Sequence, residues 1–253
     1  MEPVLEVRDL TRTFSQSGRP DFIAVDHVSF QLMPGEVLGI VGESGSGKST
    51  IAKLITRLLD ATEGEIIIDG DDVIRAKGER LRKVYDKLQM VFQTPTGSFD
   101  PRRTLGDGIG ESLRNKRVSK ADIQNQVAEA LEQCGLPAAF AKRYPHEVSG
   151  GQCQRAAIAR ALICSPKVLI LDEATSALDV TVQQQIIELL TELQRTRGLS
   201  YLFICHNLAL VQMLCDRVLV LYDGRIVEQG TPDEVIMRPR SEYTRRLVEA
   251  VFE

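Results

Sequence analysis

Apolar and polar positions alternate with period two in two early stretches, "LEVRDL" and "VSFQL", as half-buried antiparallel strands do. Pro34-Gly35 then makes a turn, and "EVLGIV" follows as a short, almost wholly apolar run suited to a strand covered on both faces. After "GESGSG" the spacing turns helical: Ile51, Leu54, Ile55, Leu58 and Leu59 share one face of "KSTIAKLITRLL". "GEIIIDG" reads as a further strand between turn residues. From residue 94 to 165 the chain changes character. An irregular stretch, "TPTGSFDPRRTLGDG", leads into the helix "ADIQNQVAEALEQC", opened by Ser119 with Asp122 as a capping box and closed by Gly135. "VSGGQCQRAAIARAL" places Ser-Gly-Gly before an amphipathic helix that ends at Ser165-Pro166, since proline cannot continue it. Alternation then resumes with "KVLILDE" as a buried strand, "TVQQQIIELLTELQR" as a helix and "YLFIC" as a strand. "NLALVQMLC" is a helix, and "RVLVLYDGRIVEQG" a hairpin turned at Asp223-Gly224. No internal repeat is evident. The pattern predicts an α/β core over 1–93 and 166–236 with an antiparallel β portion near its start, a helical insert over 94–165 and a tail over 237–253.

Composition narrows the class without naming a function. With 253 residues the chain can bury an ample core, and a net charge of −4 gives no sign of a general nucleic-acid binder. No apolar run approaches the roughly 20 residues of a membrane span. "MEPVLEVRDL" lacks the features of a signal peptide. The five cysteines (Cys134, Cys153, Cys164, Cys205 and Cys215) form no C-x-x-C pair, so they are expected as buried free thiols in a reducing compartment, without zinc or redox chemistry.

The first chemical signal lies between "EVLGIV" and its helix. Gly42, Glu43, Ser44, Gly45, Ser46, Gly47, Lys48 and Ser49 match G-x-x-x-x-G-K-[ST], with a strand before and a helix after, and Thr50 continues the turn. The glycines let backbone amides wrap a polyphosphate, and the helix N-terminus adds its positive dipole end. Lys48 would reach the β- and γ-phosphates, and the Ser49 hydroxyl would ligate Mg²⁺.

A second signal is "VLILDE". Asp172, ending a buried strand, can hold Mg²⁺ through water, and Glu173 is a candidate general base for an attacking water. An apolar strand ending in Asp-Glu is commonplace alone; the phosphate loop gives it meaning. Gln93, ending "LQMVFQ", could touch both metal and water, and His206, ending "YLFIC", could hydrogen-bond a γ-phosphate. Each also fits a plain structural residue at a strand end. Ser149, Gly150 and Gly151 present another set of helix-terminal amides suited to an anion. One nucleotide needs one cradle, so a second implies either a second ligand or a second copy of the protein facing the first.

Together these residues resemble the nucleotide-binding subunit of an ATP-binding cassette (ABC) transporter. The phosphate loop, Gln93, "VSGGQ", "LILDE", "SALD" (Ser176 to Asp179) and His206 occur in that family's order, and the resemblance covers nearly the whole chain. It implies a P-loop NTPase fold with a RecA-like α/β core, an N-terminal antiparallel β subdomain and an inserted helical subdomain. It also implies ATP and Mg²⁺ as cofactors. In the family two ATPase subunits sandwich two ATPs head to tail. Ser149, Gly150, Gly151 and Gln152 would then face ATP on the partner's phosphate loop, and Asp179 would cross toward the partner's site. Phe14, in "LTRTF", stands where the family stacks an aromatic on adenine, with Phe22 as competitor and a core role as the alternative.

"GESGSGKST", "FQTPTGSFDPRRT", "RYPHEVSGGQ" and "RPRSEYTRRLVEAV" resemble more narrowly the importers of oligopeptides, dipeptides and nickel. This implies a subunit at the cytoplasmic face of the bacterial inner membrane. Its partners would be a second ATPase subunit, with a heterodimer favoured over a homodimer, integral permease subunits whose coupling helix docks near Gln93 and the insert, and indirectly a solute-binding protein. Four departures stand out. Val148 replaces a leucine, Cys153 follows the signature glutamine, Asn207 replaces a common aspartate, and the chain stops at Glu253 without the cysteine cluster some relatives carry, so no iron–sulfur centre is expected. The rival reading is a soluble ABC ATPase of DNA repair or chromosome maintenance. Such proteins usually carry long coiled-coil insertions or nucleic-acid domains, whereas this insert is short and the chain acidic.

Overall fold

The computed structural model of the protein describes residues 2–15, 20–175 and 178–252. Its strands are β1 (Leu5–Phe14), β2 (Phe22–Leu32), β3 (Val37–Val41), β4 (Glu63–Ile68), β5 (Asp71–Asp72), β6 (Leu88–Val91), β7 (Val168–Asp172), β8 (Ser200–Ile204), β9 (Arg217–Tyr222) and β10 (Arg225–Gly230). Its helices are α1 (Lys48–Ile55), α2 (Glu79–Lys87), α3 (Leu105–Ile109), α4 (Glu111–Asn115), α5 (Lys120–Gln133), α6 (Gly150–Leu162), α7 (Val180–Arg197), α8 (Leu208–Leu214), α9 (Pro232–Met237) and α10 (Glu242–Phe252).

Among the described residues the strands form two sheets. One has the order β2-β1-β4-β5 and is antiparallel, and the other has the order β10-β9-β3-β8-β7-β6. In the second, β6, β7, β8, β3 and β9 run parallel and β10 returns antiparallel at the edge. The two signatures differ as the sequence pattern predicts. β2 alternates buried and exposed positions, whereas β3, β7 and β8 are buried throughout because the parallel sheet is covered on both faces.

That sheet divides the interior. Val37, Val41, Leu169, Leu171, Tyr201 and Phe203 point into one apolar cluster, while Leu38, Ile40, Val168, Ile170, Leu202 and Ile204 point into the other. The second cluster also receives the antiparallel sheet through Leu5, Val25 and Ile66, and α1 through Ile51 and Ile55. The first receives the helical insert through Leu105, Ile109, Ile123, Leu131, Phe140 and Ile158. The insert's apolar residues are thus continuous with one face of the central sheet.

Several elements differ from the sequence expectation. The helix after the phosphate loop ends at Ile55 rather than running through Leu59, because Arg57 takes a left-handed φ of 55° and Leu58 is left 59% exposed. The Arg57 guanidinium there donates to the carbonyls of Val73 and Ile74. At α5, Ser119 Oγ accepts the Asp122 amide at 3.2 Å, but the Asp122 carboxylate accepts from the Ser119 hydroxyl instead of its amide, so only half the expected capping box forms. Helices α2, α9 and α10 and the short β5 were not anticipated. Of the cysteines, Cys134, Cys153, Cys205 and Cys215 are buried free thiols, while Cys164 is only half-buried. Burial pushes the Cys134 thiol up to about 12 and the Cys153 and Cys205 thiols up to about 11. Among the described residues no helix is long and apolar enough to cross a membrane.

Candidate active site

The 42–49 loop joins the C-terminal end of β3 to α1, with β8 and β9 on either side of β3. Its glycines are dictated by backbone. Gly42 and Gly47 have φ of 151° and 106°, and a Cβ on them would lie 2.2 Å from the Leu221 carbonyl oxygen and 2.4 Å from that of Ala24. Neither space nor conformation admits a larger residue. Gly47 is the N-cap of α1, and among the described residues no side chain caps it, so the first-turn amides of Lys48, Ser49 and Thr50 have neither a side-chain nor an intrahelical acceptor. Glu43, Ser44 and Gly45 are exposed at the mouth of the turn, while Ser46 is buried and its carbonyl accepts from the Gly224 amide at 3.1 Å.

Lys48 folds back over this loop. Its Nζ donates to the carbonyls of Gly42 at 2.8 Å and Glu43 at 2.7 Å, and burial lowers its pKa from the ordinary lysine value. Nζ also donates to Ser46 Oγ at 3.4 Å, and a desolvated ammonium held by such neutral dipoles is ready to favour an anion. Ser49 Oγ donates to Asp172 Oδ1 at 2.9 Å, joining α1 to the end of β7. Burial raises the Asp172 pKa, opposed by that hydrogen bond. A hydroxyl and a carboxylate in contact are hard oxygen donors of the kind Mg²⁺ takes, with its remaining positions left to water and phosphate.

Glu173 follows with a left-handed φ of 47°, strain that a glutamate does not adopt without constraint. Its amide continues the ladder by donating to the Ile204 carbonyl at 2.9 Å, and this turns the side chain out of the β7 direction. There Gln93 Nε2 donates to Glu173 Oε2 at 2.6 Å, and His206 Nδ1 stands 3.7 Å from Glu173 Oε1. Gln93 lies two residues beyond β6 and His206 two beyond β8, so the parallel register brings three strand ends together at one edge. Asn207, the departure noted beside His206, caps α8 by accepting the Ala209 amide at 2.9 Å.

Phe14 and Phe22 are cross-strand partners where β1 ends and β2 begins. Their strand passes the loop at Ala24, whose carbonyl faces Gly47. Phe14 is half-buried with the Arg12 guanidinium 4.5 Å over its ring, and Phe22 is 56% exposed, so both stay candidates for a stacking surface.

Ser149, Gly150, Gly151 and Gln152 form a separate group. Ser149 Oγ accepts the Gln152 amide at 3.3 Å and Gln152 Oε1 accepts the Ser149 amide at 3.0 Å, a complete capping box. The amides of Gly150 and Gly151 remain without an intrahelical acceptor. Neither glycine has a positive φ. A Cβ on Gly151 would lie 2.5 Å from Val182 Cγ1, so close packing on α7 demands that glycine, while Gly150 meets only Leu178 at 3.5 Å. Asp179 is exposed and caps α7, its Oδ1 accepting the Val182 amide at 3.0 Å, with Val180 79% exposed beside it. Ser176 and Ala177 of "SALD" lie outside the described residues. The candidate residues therefore fall into two sets: Lys48, Ser49, Asp172, Glu173, Gln93 and His206 around the 42–49 turn, and the 149–152 turn with Asp179 at the starts of α6 and α7.

Arg160 joins these regions: from α6 it donates to the Ser98 carbonyl and lies 4.9 Å over the Phe99 ring, in the loop that follows Gln93. One contact had no sequence signal. The Glu43 amide donates to Tyr243 Oη at 2.8 Å across 200 positions of chain.

The model of the ABC transporter family matches residues 25–176. The oligopeptide transport ATP-binding protein OppF of Salmonella typhimurium is 49% identical over 230 residues, covering 90% of this chain and 69% of OppF. OppF of Escherichia coli is 46% identical over 97% of this chain and 74% of its own length. The glutathione import ATP-binding protein GsiA of Salmonella choleraesuis is 47% identical over 99% of this chain, which spans 41% of GsiA. Among solved structures, a dimeric post-hydrolysis state of the cassette MJ0796 bound to ADP and Pi superposes with a TM-score of 0.81 at 30% identity, over 90% of this chain and 98% of that one. The CbiO1 subunit of a Clostridium perfringens ABC transporter complex does so at 0.82 with 28% identity, over 100% of this chain and 96% of that one. A glycine-rich turn into α1, a carboxylate pair at the end of β7 and an exposed Ser-Gly-Gly helix start thus occur on the cassette fold, and the chain belongs to the ABC transporter family as an ATP-binding, ATP-hydrolysing subunit.

Proposed function

We propose that this subunit powers a membrane importer of peptides or a related small solute, nickel included, and works as an ATPase dimer with two composite sites. The observation that supports this best is the division of the site: the phosphate loop packs on Ala24, Leu221 and Tyr243, while the 149–152 turn packs on Leu178 and Val182. Each set offers amides to an anion, and two such subunits facing each other complete both. The dimeric MJ0796 title and the importer names of OppF and GsiA support the same reading.

In this reading Lys48 and the 42–49 amides hold the phosphates of ATP, and Ser49 with Asp172 holds Mg²⁺. Mg²⁺ bound there would neutralise phosphate charge. Glu173 takes the proton of the attacking water, oriented by Gln93 and His206. Phe14 or Phe22 stacks on adenine. Ser149, Gly150, Gly151, Gln152 and Asp179 face the nucleotide of the second subunit, a different chain rather than a second copy. Permease subunits at the cytoplasmic side of the inner membrane receive the motion through the loop after Gln93, which Arg160 ties to α6. A solute-binding protein enters only through them. The DNA-repair alternative has no support in the relatives or in the net charge of −4.

Glu173→Gln tests the chemistry. It should retain MgATP binding while hydrolysis falls by a hundredfold to ten-thousandfold, roughly the range of general-base catalysis. Hydrolysis at the wild-type rate would remove Glu173 from the role. Mass analysis of what co-purifies from detergent-solubilised membranes tests the assembly: permeases and a second ATPase are expected, and a soluble homodimer alone would refute it.

A further inference from the structure

Tyr243 lies in the first turn of α10 and is 6% exposed, 200 positions from the loop it touches. Its ring lies 4.2 Å from that of Tyr222, the last residue of β9, at 34°. Its backbone is fixed from two sides. Ser241 Oγ accepts the Thr244 amide at 2.9 Å and pairs with the fully buried Thr244 hydroxyl at 2.6 Å. The Glu228 carboxylate on β10 accepts the Arg240 and Ser241 amides, each at 2.9 Å. A hydroxyl so placed does not wander.

What it holds is one peptide unit. The bond between Gly42 and Glu43 carries the Gly42 carbonyl on one side and the Glu43 amide on the other, in a rigid plane. Lys48 Nζ donates to that carbonyl at 2.8 Å, and Tyr243 Oη accepts from that amide at 2.8 Å. The two grips differ in kind. Lys48 is a cation whose natural partner is a phosphate, so an arriving polyphosphate competes for it. Tyr243 is neutral, lies outside the loop and does not compete. Gly42 itself has φ of 151°, leaving the peptide free to turn without such a restraint.

We propose that Tyr243 is a positioning residue of the nucleotide site: it fixes the first peptide of the phosphate loop and so links α10 to nucleotide affinity. This rests on the reading of 42–49 as the nucleotide cradle. Tyr243→Phe removes the hydroxyl and keeps the ring against Tyr222. The measurements are equilibrium titration with a fluorescent ATP analogue at fixed Mg²⁺, and the melting temperature of the nucleotide-free chain. Tyr243→Phe should weaken binding about three- to tenfold, the size of one ordinary hydrogen bond. Its nucleotide-free Tm should stay within about 2 °C of wild type, as a sub-kilocalorie change allows in a chain of this size. Tyr201→Phe removes another buried tyrosine hydroxyl, one that donates to the Leu190 carbonyl at 2.9 Å and does not touch the loop, and should lower Tm while leaving the Kd unchanged. Wild-type affinity in Tyr243→Phe, or an equal loss in Tyr201→Phe, overturns the inference. If Lys48→Ala binds the analogue as well as wild type, the cradle reading falls and the inference falls with it.

Discussion

At the start of α1 the chain runs through Gly42, Gly45 and Gly47 with φ of 151°, 86° and 106°, and enters the helix with no side-chain cap among the described residues. At the start of α6 it runs through Ser149, Gly150 and Gly151 with ordinary φ, and Ser149 and Gln152 close a capping box. Both turns offer helix-terminal amides to an anion, yet their glycines answer different demands. In the first, glycine is required by backbone conformation, and at Gly42 and Gly47 also by carbonyls that leave no room for Cβ. In the second, Gly151 is required by the Val182 side chain, and Gly150 by nothing among the described residues. A glycine that the chain's own packing does not require is a candidate for one required by a partner. The same sequence signature thus hides an intramolecular constraint in one turn and leaves room for an intermolecular one in the other.

The comparison can be broken in order of expected effect. Lys48→Ala should cost about ten- to hundredfold in ATP affinity, as loss of a charge-assisted contact does, and unchanged binding would remove α1 as the cradle. Gly47→Ala should destabilise the fold by about 2–4 kcal/mol in urea denaturation, from left-handed strain plus the Ala24 contact. Gly150→Ala should do the reverse. The isolated chain should be as stable as wild type or gain up to about 0.5–1 kcal/mol from the better helix former. ATPase activity of the assembled transporter should nevertheless fall roughly ten- to hundredfold through misplacement at the composite site. Equal losses of stability from Gly47→Ala and Gly150→Ala would erase the distinction. Ser149→Ala gives the smallest change, about 1 kcal/mol for a lost N-cap.

The phosphate loop, Asp172, Glu173 and the strands that carry them were legible because each is local: a short motif, a period, a turn residue. The β3, β7 and β8 assignments follow from apolar runs that the parallel sheet covers on both faces. Helix α2 is harder to read because its apolar face is short: Leu81 and Val84 meet the core, only Val84 is fully buried, and charged residues fill most of "ERLRKVYDK". Helix α9 carries a local signal in Thr231-Pro232 with Glu234 as a capping box, in a segment too short to show an apolar period. The early end of α1 escaped because Leu58 and Leu59 keep helical spacing while Arg57 breaks the backbone. Long-range pairings were beyond any local pattern. Gln93 meets Glu173 only through strand order β6-β7, and Tyr243 meets Glu43 only through the packing of α10 against the loop.

The four buried thiols have a use that their inert chemistry conceals. Cys134 and Cys153 belong to the insert, Cys205 and Cys215 to the central sheet and its helix, and all four lie in the one apolar cluster on the same side of the sheet. Burial holds their protons on, so an alkylating reagent reaches them only when that layer opens. Their modification rates are therefore a built-in clock. Read separately, the two pairs time whether the insert loosens by itself or only when the whole layer parts.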